Sequence, residues 1–253
     1  MKPSALKGTV PTAPSATPKP AAAVRSAGSV AVVVLADLQR RSRLWAWSRL
    51  VLGRWPLRAV PGLRFAKVLG SGQGGGFGLK PSGTHRALFL GFDDEAAAMA
   101  FVEQSEVLAG YRSRAREMLV AVLRATSSKG SWAGSAMACT APAPQIGPIV
   151  ALTRASIQAR HAPAFWRMSP AAEASLVAAP GCLLAAGLGE APLLRQATFS
   201  LWTDAAAMDR YARSGAHQQA IRAAYAGGFF SESMFVRFVP LLLRGTWQGQ
   251  HHG

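Results

Sequence analysis

Residues 60–72, VPGLRFAKVLGSG, and residues 179–191, APGCLLAAGLGEA, carry one pattern twice, with Pro61 set over Pro180, Gly62 over Gly181 and Gly70 over Gly189. Two further correspondences follow in the same order. ALFLGFDDEAAAMAFV (87–102) stands over ATFSLWTDAAAMDRYA (197–212), and KGSWAGS (129–135) over RGTWQGQ (244–250), which sets Trp132 against Trp247. Ordered matches at similar offsets point to an internal duplication, and a duplication decides how every motif inside it is read.

Each copy reads as strand, helix, strand, strand, helix, strand. In the first, VAVVVLA (30–36) is a buried strand and RRSRLWAWSRLVLGRWP (40–56) has the length and composition of a helix. LRFAKVLG (63–70) is a second strand entered through Pro61-Gly62, RALFLGF (86–92) a third, DDEAAAMAFVEQ (93–104) a helix opened by acids as its dipole prefers, and EMLVAVLRA (117–125) the last strand. The second copy gives the same order through IGPIVALTRA, APAFWRMSPAAEASLV, CLLAAGLG, QATFSLW, the helical stretch 204–227 and SMFVRFVPLL. A βαββαβ unit covers one sheet face with its helices, and two units cover the other by packing sheet on sheet. The expected fold is therefore α+β: two tandem ferredoxin-like units, residues 29–135 and 147–250 joined by a linker over 136–146, packed as a pseudo-twofold sandwich or barrel. A site would lie between sheet and helices or between the sheets.

Half of the 253 residues are apolar, enough for a core, while 28 Lys and Arg against 12 Asp and Glu leave a net charge of +16. That balance points to an anionic partner. Between Asp37 and Asp93 there is no acid, and Arg40, Arg41, Arg43, Arg49, Arg54 and Arg58 alternate with Trp45, Trp47 and Trp55. Such a mixture suits anionic lipid headgroups, with ordinary helix packing as the alternative for the tryptophans. Residues 1–28, rich in Ala, Pro and Ser with basic residues and no acid, read as a disordered basic tail without a secretory apolar region. No apolar run near the N-terminus approaches the length of a membrane-spanning helix. Cys139 and Cys182 lack metal-knuckle spacing, which fits a reducing compartment and a cytoplasmic location.

The stretch GSGQGGGFGLK (70–80) tests two nucleotide-related readings. Gly70, Gly72 and Gly75 match a dinucleotide fingerprint, but the chain runs on through Pro81 and Gly83 into a strand, where a pyrophosphate site needs a helix N-terminus. Gly76-Phe77-Gly78 resembles part of an RNA-recognition signature, yet the preceding basic residue and the later aromatic are missing and Pro81 interrupts the strand. Nucleic acid is therefore a disfavoured partner. What remains is a hairpin connection, or a substrate loop in which Gly70, Gly72, Gly74, Gly75, Gly76 and Phe77 let a ligand lie against backbone.

LWAW, the stretch at 60–77, IGPIVALTRASI, the block 187–238 and the closing GTWQGQ together resemble the spheroidene monooxygenase family, the bacterial acyclic carotenoid 2-ketolases, over about residues 30–250. The resemblance implies oxidation of the carbon beside the methoxy end of a linear carotenoid, with dioxygen, heme iron and electrons from reduced ferredoxin; a polyene lives in a membrane, and the Arg–Trp mixture is compatible with peripheral contact at its anionic cytoplasmic face. The resemblance also implies an axial ligand. The histidines are His85, His161, His217, His251 and His252; the last two read as a frayed terminus. His217 lies in the block most like the family, on the late helix where related βαββαβ heme-degrading monooxygenases hold their ligand, nearer Ile221 in a rough overlay. His217 is the implied metal ligand, with Tyr211 and Arg222 beside it for a propionate or a polar substrate end and Tyr225, Arg195 and Arg244 as further candidates. No GxSxG motif supports hydrolysis, and Asp93, Asp94 and Glu95 suffice as helix-starting acids. The alternatives are a non-enzymatic basic tandem that binds RNA or an anionic surface, and a family member that keeps only a lipid pocket.

Overall fold

The structure, a computed structural model, describes residues 23–76, 80–144, 146–191, 193–213 and 215–253. Its main strands and helices follow as β1 (Val30–Leu38), α1 (Arg43–Leu52), β2 (Leu63–Gly72), β3 (Pro81–Phe92), α2 (Glu95–Gln104), α3 (Glu106–Arg112) and β4 (Ala115–Gly130). The second half repeats them as β5 (Ile149–Ile157), α4 (Ala162–Val177), β6 (Cys182–Ala191), β7 (Arg195–Trp202), α5 (Ala205–Ala212), α6 (Gly215–Ala226) and β8 (Phe230–Trp247). The eight strands close into an antiparallel barrel in the order β8-β4-β1-β3-β2-β6-β7-β5, with β5 returning to β8. Of the two arrangements expected, sandwich or barrel, the barrel is present.

Why the two halves fold alike is visible in one contact. Gly62 and Gly181 both have positive φ, and a Cβ on either would fall 2.6 Å from the Cβ of Ala97 or Ala207 respectively. The Pro-Gly turn and the alanine-rich helix start are thus two sides of one close approach, made once in each half. The caps match as well: Asp94 accepts from the Ala97 amide at 2.9 Å and Asp204 from the Ala207 amide at 2.7 Å.

All nine residues of β1 are buried, because Ala31, Val33 and Leu35 face the barrel interior while Val30, Val32 and Val34 face the helices. The barrel interior is solid, filled by Trp132, Phe89, Phe199 and Phe238 among aliphatic side chains. It is a core and not a chamber. The sheet also presents no open face at β1 on which RNA bases could stack.

The barrel's thinnest seam joins the halves. Among the described residues β2 and β6 share only the pairs Gly70–Gly189 and Ser71–Leu188, supported by the Ser71 hydroxyl donating to the Gly187 carbonyl at 2.5 Å. Inside that seam Lys67 pairs with Glu190, which Arg154 also reaches at 3.5 Å, and Arg154 pairs with Glu232 at 2.5 Å.

Three expectations need correction. Residues 250–252 are not frayed, since Gln250–His252 pairs antiparallel with Gly245–Trp247 of β8. The stretch 204–227 is two helices, α5 and α6, broken around Arg213. The end of the expected tail is ordered, with Arg25–Ser26 pairing in parallel with Ser135–Ala136; residues 1–22 lie outside the described residues.

Candidate functional site

The two helix–sheet interfaces are unlike. In the first half Phe92, Leu88, Leu90, Phe101, Tyr111 and Leu57 fill the space between sheet and helices. In the second, the fully buried residues are few, and a cavity of about 190 Å³ opens between the outer face of β5, β7 and β8 and the helices α4, α5 and α6.

Strand register shows why. Val34 pairs with Leu88 in the first half, and Thr153 with Thr198 in the second; Val32 pairs with Leu90, and Ala151 with Ser200. Equivalent outward positions that are branched and apolar in one half are small or hydroxylated in the other. The inward positions do not diverge: Ala87 and Phe89 match Ala197 and Phe199, all in the barrel core. The signal lay in the sequence, as ALFLGF against ATFSLW, but it is read only by comparing alternate positions.

The cavity floor is therefore polar, with Thr153, Thr198, Ser200 and Ser233, while Phe165, Trp166, Trp202, Ile221, Phe230 and Phe235 make its walls largely apolar. A few hydroxyls against aromatic walls suit a largely apolar ligand with a polar end.

The sequence-derived candidates fall as follows. Tyr211 lines the cavity and stands where Phe101 stands in the first half: its ring lies 5.3 Å from Trp202, as Phe101 lies 5.5 Å from Phe92. Its added hydroxyl donates to the Ala172 carbonyl at 3.2 Å, tying α5 to α4, and burial raises its pKa. His217 is in α6, and its side chain lies outside the described residues. Arg222, on the same helix, is exposed, whereas Tyr225 lines the cavity with its hydroxyl 3.4 Å from Ser233 Oγ. Arg244 pairs with Glu103 at 2.8 Å, away from the cavity, and Arg195 is exposed at the start of β7.

Of the glycine loop, Phe77 lies outside the described residues. Gly70 and Gly72 belong to β2, and residues 73–75 form a tight turn. Gly75 has φ of +78°, and a Cβ there would fall 2.6 Å from Trp247 Cζ2; a Cβ on Gly76 would fall 2.9 Å from Glu173 Oε1. Glu173 lines the cavity, so the loop of the first half reaches the rim of the site in the second. His85 is elsewhere, near Trp247, with Nδ1 2.8 Å from Ser82 Oγ; burial lowers its pKa against the opposing pull of Asp37. His161 stacks on Phe229 at 4.7 Å.

No protein-family model matches the chain. Among solved structures, aldoxime dehydratase superimposes with a TM-score of 0.54 at 10% identity, covering 89% of each chain, a likeness of fold alone. The curated relatives are monooxygenases, and that is the class of this protein. The chain is 53% identical over 226 residues to the spheroidene monooxygenase of Rubrivivax gelatinosus, covering 89% of this chain and 88% of that relative. With the enzyme of that name from Rhodobacter capsulatus the identity is 37%, over 81% of this chain and 87% of the relative. The chain belongs to the spheroidene monooxygenase family.

Proposed function

We propose that this enzyme introduces a 2-keto group into an acyclic carotenoid such as spheroidene, with heme, dioxygen and electrons from reduced ferredoxin, in the cavity of its second half. The observation that carries the assignment to this cavity is the hydroxylated floor at positions that the first half fills with leucine and valine. The names of the relatives support the substrate class. The two halves, 29–135 and 147–250 with a linker over 136–146, are read as duplicated ferredoxin-like units, which the repeated strand order 4-1-3-2 and the paired Gly62–Ala97 and Gly181–Ala207 contacts support.

The support for heme in this cavity comes from the helix on which the ligand is proposed. Ala220, Ile221, Ala224 and Tyr225 give α6 its cavity-lining stripe, and position 217 precedes Ala220 and Ile221 by the spacing that keeps helix positions on one face. A single imidazole suffices as the protein's axial ligand, so the lack of a clustered metal site among the described residues does not bear on it. When bound, heme supplies the activation of dioxygen. The protein's part is to bind and orient. Hydroxyls of Thr198, Ser200 and Ser233 offer donors to the methoxy oxygen, and the aromatic walls pack along the polyene and exclude water. Two successive hydroxylations at one methylene would give a geminal diol that loses water to the ketone. Arg222 and Tyr211 are kept as proposed partners of polar ligand groups, and the loop at 70–77 as the proposed rim of the substrate slot. The free thiols of Cys139 and Cys182 support a cytoplasmic setting, at the membrane face where the substrate dissolves.

The test is purified protein produced with heme supply, assayed for carotenoid ketone formation and for a Soret band, beside His217→Ala. A Soret band lost or shifted in the variant, together with loss of ketone, is expected. Folded protein with no Soret band would contradict the cofactor, and a band untouched by the substitution would contradict the ligand.

A further inference from the structure

Helix α1 is turned inside out. Leu44 and Val51 are 85% and 84% exposed, and Trp47, Leu52 and Trp55 are exposed beside them, so the apolar stripe at i, i+3 and i+7 faces away from the protein. The inward side holds Ala46 and Trp45, the latter edge-on to Tyr111 at 4.9 Å and covered by Arg49 and Arg114. Nor is the helix free to roll over. Arg86, 1% exposed, donates to the Ala46 carbonyl at 2.9 Å and to the Ser82 and His85 carbonyls at 3.1 and 2.7 Å, clamping α1 to β3. Its guanidinium also lies 5.0 Å from the Trp47 ring.

The charge around this stripe has one sign. Arg40, Arg41, Arg43, Arg54 and Arg58 are exposed, and among the described residues none has a carboxylate partner. At the helix start, Arg40 and Arg43 border a polar pocket of about 260 Å³ with Gln73, Gly74, Ser82 and Thr84. Arg43 reaches it because Gly83 has no side chain: a Cβ there would fall 2.8 Å from Arg43 Nε.

From the exposed apolar stripe and its unpaired cationic border, we propose that α1 docks in the interface of an anionic phospholipid bilayer, with a headgroup phosphate seated between Arg40 and Arg43. Leu44, Trp47, Val51 and Trp55 enter the acyl boundary, and the arginines stay at headgroup level. Among the described residues no helix is long and apolar enough to cross a membrane, so this is contact in the plane of the interface. A protein partner or second copy covering the same stripe would need acidic residues to meet its border, and this chain has few. The proposal deepens the reading of an enzyme whose substrate is dissolved in lipid, but its test needs neither substrate nor heme.

The experiment is flotation of the full chain with vesicles of phosphatidylcholine alone or containing phosphatidylglycerol, with tryptophan quenching by brominated lipid. Leu44→Asn/Val51→Asn removes side chains that touch almost nothing, so folding is retained. Arg40→Gln/Arg43→Gln tests the seat. Expected are binding that needs the anionic lipid and falls with salt, quenching in wild type, at least about tenfold loss in the apolar variant and about thirty-fold in the arginine variant. Wild-type binding by Leu44→Asn/Val51→Asn, or self-association through α1 without vesicle binding, would overturn the proposal. Vesicle binding left unchanged by inorganic phosphate at a concentration that saturates the Arg40–Arg43 seat would overturn the lipid headgroup as the seated anion.

Discussion

Thr198 stands in the second half where Leu88 stands in the first: each faces outward from its unit's third strand, paired with Thr153 or Val34 on the first. Leu88 is in a packed core and Thr198 in a cavity floor. Matching positions are thus packed solid in one half and left open as a cavity in the other.

Giving the second half the filling of the first should separate packing from binding. Thr198→Leu is expected to gain about 1 kcal/mol in chemical denaturation, as cavity filling commonly does, while losing carotenoid turnover; adding Ser200→Leu removes the acceptor 2.9 Å from the buried Trp202 Nε1 and should offset that gain by about 1–3 kcal/mol.

The glycine loop predicts a graded response. Gly75→Ala meets both a left-handed backbone and Trp247 at 2.6 Å, whereas Gly74→Ala meets a positive φ but open space. Costs of about 2–3 and about 1 kcal/mol are expected from thermal or urea unfolding. Gly76→Val presses on Glu173 at the cavity rim, and should lower turnover at unchanged Soret intensity.

Glu232 makes stability depend on acid. Burial works to raise its carboxyl, but hydrogen bonds from the Gly134 and Ala133 amides and the Ser131 hydroxyl, with the charge of Arg154, outweigh it and hold the pKa at about 2. A depressed folded pKa contributes stability that is full above the ordinary carboxylate range and fades as pH falls toward 2. Glu232→Gln should cost on the order of 2 kcal/mol at pH 7 and progressively less below pH 4, measured by urea midpoints across pH.

The repeat, the strand order and the helix caps were legible because each leaves a pattern: Pro-Gly before a strand, an acid before AAAM, alternation within ALFLGF. The β2–β6 seam was not, since it rests on backbone pairs among Gly70, Ser71 and Gly189 that carry no side-chain code. Tyr211 is conspicuous in the sequence as a polar aromatic; what the sequence does not show is that it matches Phe101 of the first half in its ring contact and adds a hydroxyl that donates to the Ala172 carbonyl. A site between sheet and helices was one of the two places expected, but not which half would hold it, because Thr and Ser suit a strand as well as Leu does; only the difference between the halves reveals it. The pairing of His251 and His252 with β8 was hidden by their place at the end of the sequence.

The most direct test of the account is ketone formation from an acyclic carotenoid by Thr198→Leu/Ser200→Leu, beside wild type and beside Leu88→Ile in the filled half. Turnover is expected to fall by at least about a hundredfold in the first variant, about 2.7 kcal/mol of transition-state stabilisation, and to be retained in the second, both folded by circular dichroism. Wild-type turnover with the second-half cavity filled would contradict this and move the active site elsewhere.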